Sequence, residues 1–441
     1  MNTRYGLLVM AAAMTWCMVA VNLPAQETAK AFTLEECVTF ALTNSPMAKA
    51  ASAGVDAASE ANGEARAPYY PRISANAGYS RWEKLAFLPS GLPLPAEAGD
   101  MIGPTDDWIA GLPAQWTLFD SGERGGRRTS AVASRKAAEQ TERQIRQDVV
   151  MAVHQAFYEC LAAKESREVA DGVLARALDH LKLAQDRIKA GAAAQADESR
   201  AQVETANAKL GVLRAESRLR IARGSLNTAM GLAAEGPLEI VKPDQPVLPP
   251  GGAKMSDLME QATRNRPDLL AAVQRVEAAR SDVSAAKSAY GPKVMAQGSY
   301  DRREGDLAGP DNEWLVGVSV DLPLFTGFGA VHRVSKAEAA LAGEEARCQQ
   351  QVLNVRQEVW VAYSRLLESY QAVQATVTQV ADARESLRLA TERYKAGAGT
   401  MNDLLDAETA QARAEATRID AQKDYHVAAA AFKRAIGTLA P

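Results

Sequence analysis

The feature that most constrains this chain is that its second half repeats its first. The segment "TNSPMAKAA" at 43–51 matches "RNRPDLLAA" at 264–272, a spacing of 221 residues. Further along, "RIKAGA" at 187–192 matches "RYKAGA" at 393–398, a spacing of 206 residues. A single 15-residue difference in one loop accounts for the change of spacing. Because the match holds through segments of very different composition, it indicates an internal duplication.

Each copy begins with a segment whose pattern predicts a helix, roughly over 34–67 and 255–288, which Pro46 and Pro267 interrupt. Apolar and polar residues then alternate with a period of two, which predicts strands with one apolar face and one face exposed to water. The alternating apolar positions are Ile73, Ala75, Ala77 and Tyr79, then Trp108, Ala110, Leu112, Ala114, Trp116 and Leu118, and in the second copy Trp314, Val316, Val318, Val320, Leu322 and Leu324.

These strands predict two β-hairpins, at 71–119 and 292–325. Each strand is about 10 to 12 residues long, which is the length that crosses a bilayer at a tilt. Pro113 removes a ladder donor from one strand, so we expect a β-bulge there.

Helical periodicity returns after each hairpin. No proline occurs between Pro113 and Pro237 or between Pro323 and Pro441. The sequence therefore predicts two long helices, at 123–190 and 329–396, each about 100 Å long. A glycine turn and a return helix follow each one, at 194–231 and 400–437. In the second copy the apolar seam follows a heptad pattern through Val352, Val355, Val359, Ala362 and Leu366.

The N-terminus has the pattern of a secretory signal peptide over 1–25, with Arg4 before an apolar run and a small residue, Ala25, at its end. The first structural repeat is then expected at 26–232, a Pro-rich linker at 233–254 and the second repeat at 255–441. Removing Arg4 changes the net charge of −4 to about −5, so a basic nucleic-acid surface is not expected. The three remaining cysteines are widely spaced and are interpreted as buried apolar residues on helices; they are Cys37, Cys160 and Cys348.

Four strands in lipid would leave two edges without hydrogen-bond partners. A barrel must therefore close between subunits, as a dimer with eight strands or a trimer with twelve. Trp82, Trp108 and Trp314 lie near the strand ends and fit an aromatic belt at the membrane interface. The alternative is a soluble extracytoplasmic protein with two hairpins on a coiled coil.

The duplicated order of helix, two strands, long helix, turn and helix resembles the TolC family of outer-membrane efflux proteins. The motifs that carry the resemblance are "WTLFDSG", "LPLFTGFG" and "RYKAGAGTMNDLLDAE", and the resemblance covers essentially the whole mature chain. It implies a fold of mixed α and β class. A homotrimer would form a twelve-stranded outer-membrane barrel in lipid, continuous with a long periplasmic α-helical coiled-coil barrel. It also implies a periplasmic adaptor and an inner-membrane pump of RND or ABC type as partners, and a passive exit duct for efflux or type I secretion.

The resemblance also implies roles for the two helical turns. It predicts that Gly191, Ala192, Gly397, Ala398 and Gly399 contact the adaptor. It predicts that Asp403 and Asp406, with Asp197 and Tyr394, form the periplasmic gate. The two aspartates lie three residues apart on one helix face, and threefold copies would make a ring of up to six carboxylates that favours cations. The alternative is that these acids only complement the helix dipole.

Two departures from the family pattern concern the gate. Gly399 stands where family members can have an arginine that holds the periplasmic end closed, so the closing links are expected to differ or to be weaker. Arg187 and Arg393 are candidates for bridging to neighbouring carboxylates, although cations are expected in any last helical turn.

The sequence carries neither a phosphate loop nor a nucleophile motif, so an enzyme is not expected. The four histidines are dispersed, and we predict no metal site and no cofactor. Two other functions stay open, a soluble periplasmic adaptor and a coiled-coil spacer without a pore. The residues do not identify the cargo or the pump class.

Overall fold

The structure, a computed structural model, describes residues 31–83, 86–87, 101–102, 105–244, 246–252, 254–305 and 308–440. The expected signal peptide at 1–25 lies outside these residues. The helices of the first half are α1 (Leu34–Asn44), α2 (Pro46–Glu64), α3 (Glu123–Lys189) and α4 (Gln195–Ala229). Those of the second half are α5 (Met255–Asn265), α6 (Pro267–Lys287), α7 (Gly329–Lys395) and α8 (Met401–Ala435).

Proline sets the two short helix breaks. Pro46 and Pro267 each occupy the first turn of a new helix, where the missing amide has no intrahelical partner to lose. The preceding residues, Ser45 and Arg266, have ψ angles of 126° and 120°, the extended conformation that a following proline imposes. The breaks therefore fall where the sequence predicts them.

The two halves use helices of equal length. Both α3 and α7 have 67 residues, and both α4 and α8 have 35. At about 1.5 Å per residue, each long helix is a rod of roughly 100 Å. The predicted heptad seam on α7 is buried at Val355, Val359, Ala362 and Leu366, and Val352 packs against it as a partly buried residue. A long helix is thus held by a narrow apolar stripe rather than by a globular core.

Five of the described strands have only two residues, and the longer ones all belong to one main sheet. They are β1 (Ala31–Phe32), β2 (Arg72–Ile73), β3 (Asn76–Trp82), β4 (Ala86–Phe87), β5 (Met101–Ile102), β6 (Thr105–Gly111), β7 (Ala114–Phe119), β8 (Glu239–Ile240), β9 (Lys293–Gly305) and β10 (Ala308–Asp321). In the main sheet all pairings are antiparallel: β2 pairs with β7, β3 pairs with β6, β6 and β7 both pair with β9, and β9 pairs with β10. Because β2 and β3 follow each other along one row, as β6 and β7 do along the next, the sheet is four strands wide. Among the described residues, β2 and β3 form one edge and β10 forms the other.

The expected bulge at Pro113 is wrong. Gly111 lies opposite Asp301, and Ala114 lies opposite Gly298, so equal numbers of residues face each other across the proline. The register is unbroken, although the two residues between β6 and β7 do not form regular strand.

Hydrogen bonding explains why no extra residue is needed. The Ser74 amide donates to the Pro113 carbonyl at 3.1 Å, and proline has no amide with which to return the bond. The ladder loses one hydrogen bond and keeps its register. The register shift of this strand lies further on, between Thr117 and Phe119, where the sequence shows no proline signal.

The helices pack around α3. Within the chain α3 contacts α1, α2, α4, α6 and α8, whereas the matching long helix α7 contacts α5, α6 and α8. None of the described helices is long and apolar enough to cross a membrane. We call the packing of α3 against α8 near the two helical turns the within-chain seam.

Candidate gate at the helical turns

Both turns between a long helix and its return helix have the same backbone. Gly191 and Gly397 have φ angles of 71° and 73°, a left-handed conformation that glycine adopts without strain. The Gly191 amide donates to the Ile188 carbonyl at 2.9 Å, and the Gly397 amide donates to the Tyr394 carbonyl at 3.1 Å. The next amide in each turn bonds one residue further back, which completes a Schellman motif. The two glycines are therefore required by the turns themselves.

The arginine of the first turn reaches across to the second. The Arg187 guanidinium donates to the Tyr394 carbonyl and, at 3.2 Å, to the carbonyl of Ala192 in its own turn. Its central carbon lies 4.7 Å from the centroid of the Tyr394 ring, a cation–π contact. Arg187 thus binds two carbonyls and a ring, not the carboxylate that the sequence suggested as its partner.

Apolar side chains fill the space behind this contact. Tyr394 is only 2% exposed, and Met401 and Leu404 at the start of α8 are also buried. They pack with Ala184 of α3 and Ala201 of α4 in one cluster. The two turns of one chain are therefore joined by a dry core as well as by Arg187.

Asp403 caps the second return helix. The Thr400 amide donates to the Asp403 carboxylate at 3.0 Å, and the Asp403 amide donates to the Thr400 hydroxyl at 3.2 Å, a capping box. The hydrogen bond from the Thr400 backbone, then that of its side chain, lower the pKa of Asp403 below its usual value. Asp403 and Asp406 are both exposed, so their carboxylates lie outside the apolar cluster and available to solvent.

The first turn has a different acid arrangement. Asp197 is half-buried and lies 3.8 Å from Arg200, the residue that replaces Asp406 at the 206-residue spacing. Burial, and then the charge of Asp197, raise the pKa of the Tyr394 hydroxyl, so this carboxylate acts on the other turn. Of the predicted gate residues, Asp197 lies close enough to Tyr394 for its charge to raise that pKa, and Asp403 and Asp406 are exposed to solvent.

One cluster of charged side chains was not predicted from the sequence. Glu408 is 2% exposed, and its carboxylate lies 2.9 Å from Arg176 Nε and 3.0 Å from His180 Nε2, both on α3. The signal was available, because Glu408 continues the buried face that begins at Met401 and Leu404. An acid on an apolar helix face needs a buried partner.

The sheet has its own exposed face. Trp314, Val316, Val318 and Val320 alternate along β10 and are all largely exposed, as is Trp108 on β6. Contiguous apolar surface of this kind marks a site of contact with another protein or with a membrane. In the described ranges, no three or more His, Cys, Asp or Glu side chains are grouped so as to hold a metal ion.

The free cysteines of the described chain are Cys37, Cys160 and Cys348. Cys37 and Cys160 are buried on helices, as the sequence predicts, and Cys348 is half-buried on α7. Burial raises the pKa of the Cys37 thiol to about 12 and that of Cys160 to about 11, so both stay protonated. They act as small apolar residues.

A long helical shaft that carries a strand domain with an exposed apolar face defines the class of outer-membrane channel proteins with a periplasmic extension. The chain belongs to the outer membrane efflux protein family, whose model matches residues 38–232 and 258–438. One matched segment lies in each half.

Individual relatives agree with this assignment. Protein CyaE of Bordetella pertussis is 27% identical over 382 residues, which cover 85% of this chain and 78% of that protein. Outer membrane protein TolC of Vibrio cholerae is 24% identical over 415 residues, which cover 92% and 91%. The outer-membrane channel OprN has the same fold, with a TM-score of 0.79 and 22% identity over 92% of this chain and 89% of its own.

Proteins of this family are outer-membrane efflux channels and not enzymes, and they work with adaptors and inner-membrane pumps. The chain is accordingly an outer-membrane protein that extends into the periplasm. The soluble adaptor or spacer considered from the sequence is not the class to which it belongs.

Proposed function

We propose that three copies of this chain form the exit duct of a tripartite efflux or type I secretion system. The observation that carries the proposal is the match of both halves to one efflux family, on a fold with a four-stranded sheet at one end. Three sheets would close a twelve-stranded barrel in outer-membrane lipid and so pair the outermost strands, β3 and β10. The two structural repeats, 26–232 and 255–441, arise by internal duplication.

The exposed surface of α7 supports closure between copies. On α3, Gln147 is buried and His154 is half-buried within the chain, and Gln147 donates to the Leu439 carbonyl at 3.1 Å. Their counterparts 206 residues later are Leu353 and Trp360, which are 57% and 59% exposed. These large apolar side chains are exposed at positions that are covered in the other half, so we expect another chain to cover them. We assign that neighbour to the first half of another copy, and call the packing of α7 on the α4 of that copy the between-chain seam.

The barrel would meet lipid through the exposed face of the sheet. Trp82, Trp108 and Trp314 are all exposed and lie on three different strands, β3, β6 and β10. Trp108 lies opposite Glu304 of β9, and Trp314 lies opposite Tyr300, so the row runs obliquely across the sheet. An oblique row becomes level when strands tilt by about 35–45°, as barrel strands do. We propose Trp108 and Trp314, which share one face of the sheet, as the interfacial aromatic belt. Trp82 lies opposite Thr105, three residues from Trp108, so it belongs to the other face of the sheet, because side chains alternate along a strand.

The turns would form the periplasmic end of the duct. We propose Gly191, Ala192, Gly397, Ala398 and Gly399 as its contacts with an adaptor. A Cβ at Gly399 would lie 3.2 Å from Arg393 Cβ, so a side chain there would be in tight contact with the end of α7. Threefold copies of Asp403 and Asp406 would place up to six carboxylates at the narrow end, where they favour cations. Capping and gating are compatible, because Asp403 keeps its charge while one of its oxygens accepts from Thr400.

The test is conductance of the purified protein in planar bilayers. Asp403→Ala with Asp406→Ala is expected to lower cation preference and to weaken block by divalent cations. The matched control is Asp420→Ala with Asp424→Ala, which removes two carboxylates from exposed positions of α8 further from the turn and is expected to leave both properties unchanged. Equal effects of the two pairs would refute the acidic ring. Recovery of the protein in the soluble periplasm, without a detergent-stable trimer, would refute the duct itself.

A further inference from the structure

Two oppositely charged side chains lie without a protein partner at the far end of the sheet. Strand β9 begins beside the shaft, where Lys293 pairs with Glu123 of α3 at 2.6 Å, and it runs away from the shaft to Gly305. Arg302 and Glu304, near that far end, are exposed, and neither has a hydrogen-bond or ion-pair partner among the described residues. This end of the sheet therefore carries a free cation and a free carboxylate.

The strand register places both side chains on the aromatic face of the sheet. Glu304 lies opposite Trp108 of β6, and Arg302 stands two residues before Glu304, so all three share one face. Arg303, between them, belongs to the other face and donates to Asp107 through two hydrogen bonds of 2.7 Å each. Two neighbouring arginines thus differ in that one is paired and the other is not.

The unpaired charges line a cavity of about 370 Å³, which we call the rim cavity. Its floor includes Tyr79 and Trp108, whose ring centroids are 4.6 Å apart. The rest of the lining is small or apolar, and consists of Ala77, Gly78, Ile109 and Ala110. On the same face Asp106 accepts from the Tyr79 hydroxyl at 2.8 Å and pairs with Arg81 at 3.4 Å. The rim cavity therefore combines an aromatic surface with one charge of each sign.

We propose that the rim cavity binds the phosphorylated headgroup of a glycolipid in the outer leaflet of the membrane. The proposal rests on the barrel proposed above, in which this face meets lipid and Trp108 lies at the interface. Because the shaft extends into the periplasm, the far end of the sheet lies at the outer surface. The Arg302 guanidinium holds the phosphate through two parallel hydrogen bonds, which its planar fork allows. Glu304 accepts from a sugar hydroxyl, and the sugar ring lies on the aromatic floor.

The pair of charges favours this occupant over simpler ones. Inorganic phosphate would gain Arg302 but would also face the carboxylate of Glu304. A divalent cation would gain one carboxylate, whereas such ions take several oxygen ligands. A phosphatidylcholine headgroup carries no hydrogen-bond donor for Glu304. A phosphorylated sugar supplies both the anion and the donor.

Retention of lipid A, an acylated and phosphorylated disaccharide, tests the proposal. The purified protein is equilibrated with mixed micelles of lipid A and phosphatidylcholine, and bound lipid is measured by native mass spectrometry. Arg302→Gln is expected to weaken lipid A binding about tenfold, the size expected for loss of a charge-assisted contact. The matched control is Arg303→Gln, which makes the same change of charge on the other face and is expected to leave binding unchanged. Equal losses in the two variants, or no loss in Arg302→Gln, would overturn the rim site.

The sign of a second change separates a glycolipid from a simple anion. Glu304→Gln is expected to weaken lipid A binding a few-fold, because a neutral acceptor replaces a charged one. If the cavity took only an anion, loss of the carboxylate would tighten binding. Tighter binding in that variant, or displacement of lipid A by an equal concentration of inorganic phosphate, would overturn the glycolipid.

Insertion into planar bilayers distinguishes failure of the rim site from failure of the barrel. Arg302→Gln and Arg303→Gln are both expected to insert and to conduct like the wild type. Normal conductance together with lipid A binding that does not depend on Arg302 would overturn the rim site alone. A wild-type protein that never inserts would overturn both the rim site and the proposed barrel.

Discussion

In the proposed trimer, the two faces that would meet at the periplasmic end have equivalent backbones and opposite side-chain chemistry. The within-chain seam is closed by Tyr394, Met401 and Leu404, which are buried against the first turn. The positions equivalent to Met401 and Leu404 are Gln195 and Glu198, whose side chains bond to each other at the surface of α4. One seam is therefore dry, and the other would meet its neighbour with polar groups.

The same contrast continues up the shaft. Glu408 lies buried between Arg176 and His180, so a charged cluster joins α3 to α8. The equivalent residue on α4 is Gln202, and the positions on α7 that match Arg176 and His180 are Asp382 and Ser386. Neither of these can supply the cation that a buried acid needs. In the proposed trimer, the duplicated halves would form two seams of one geometry and unequal strength. A duct that must open at one end can part its weak seams while the strong ones hold each chain together.

The largest expected effect is the loss of the buried acid. Glu408→Ala would leave Arg176 and His180 in the within-chain seam without their counter-charge. We expect a loss of about 3 kcal/mol in the free energy of unfolding, at the low end for buried pairs because the Arg176 side chain is 35% exposed. Gln202→Ala, at the equivalent position, is expected to change it by less than about 0.5 kcal/mol. Thermal unfolding followed by circular dichroism measures both. Equal shifts in Tm would mean that the two seams do not differ.

The two turn arginines are expected to separate stability from gating. Arg187→Ala removes a cation–π contact and two charge-assisted hydrogen bonds, of which one crosses to the other turn, so we expect it to cost about 2 kcal/mol of stability. Arg393 is exposed within its own chain, so Arg393→Ala is expected to lower Tm less than Arg187→Ala does. It is expected to raise the open fraction in bilayers more. The ranking of the two variants should therefore reverse between the two measurements. The same ranking in both would argue against a strong and a weak seam.

A smaller effect is expected from pH. Burial alone would raise the pKa of Glu408, but the hydrogen bond and charge of His180, and then those of Arg176, outweigh it and lower the pKa below the usual value. A lowered pKa in the folded state stabilises the protein above the unfolded-state pKa, about 4.3, and this contribution is lost as pH falls through the folded value. The difference in Tm between the wild type and Glu408→Gln should therefore shrink from pH 5 to pH 3. A difference that stays constant over this window would exclude ionised Glu408 as its source.

Local signals predicted much of this fold, and contacts between distant segments account for what they missed. The helix breaks at Pro46 and Pro267 and the turns at Gly191 and Gly397 follow from the backbone chemistry of single residues. The bulge expected at Pro113 was wrong, because the effect of a proline in a sheet depends on whether the partner strand requires a backbone hydrogen-bond donor at that position.

The candidate gate shows the same limit. The resemblance to the efflux family led to the prediction of Asp403 and Asp406 as gate residues, which stays a prediction, but nothing in the sequence predicted that Arg187 binds a carbonyl 207 residues away. It also passed over Glu408, whose partners lie on α3. A heptad pattern shows which face of a helix is buried, but it does not show which helix covers that face.

The smallest expected effect concerns the caps of the two return helices. Thr400 caps α8, whereas Ala194 precedes α4 and makes no side-chain cap. The backbone is ready for a cap in both, with φ and ψ of −94° and 160° at Thr400 and of −85° and 151° at Ala194. Asp197 stands three residues after Ala194, as Asp403 does after Thr400.

Ala194→Thr should therefore build the missing capping box and raise the stability by about 0.5–1 kcal/mol, and Thr400→Ala should lower it by about the same amount. Both changes are read as shifts in Tm. Thr400→Ala also separates the cap from the gate, because it frees the Asp403 carboxylate without removing its charge. Cation preference in bilayers should survive in that variant. Its loss together with the cap would mean that the position of Asp403, and not its charge alone, sets the selectivity.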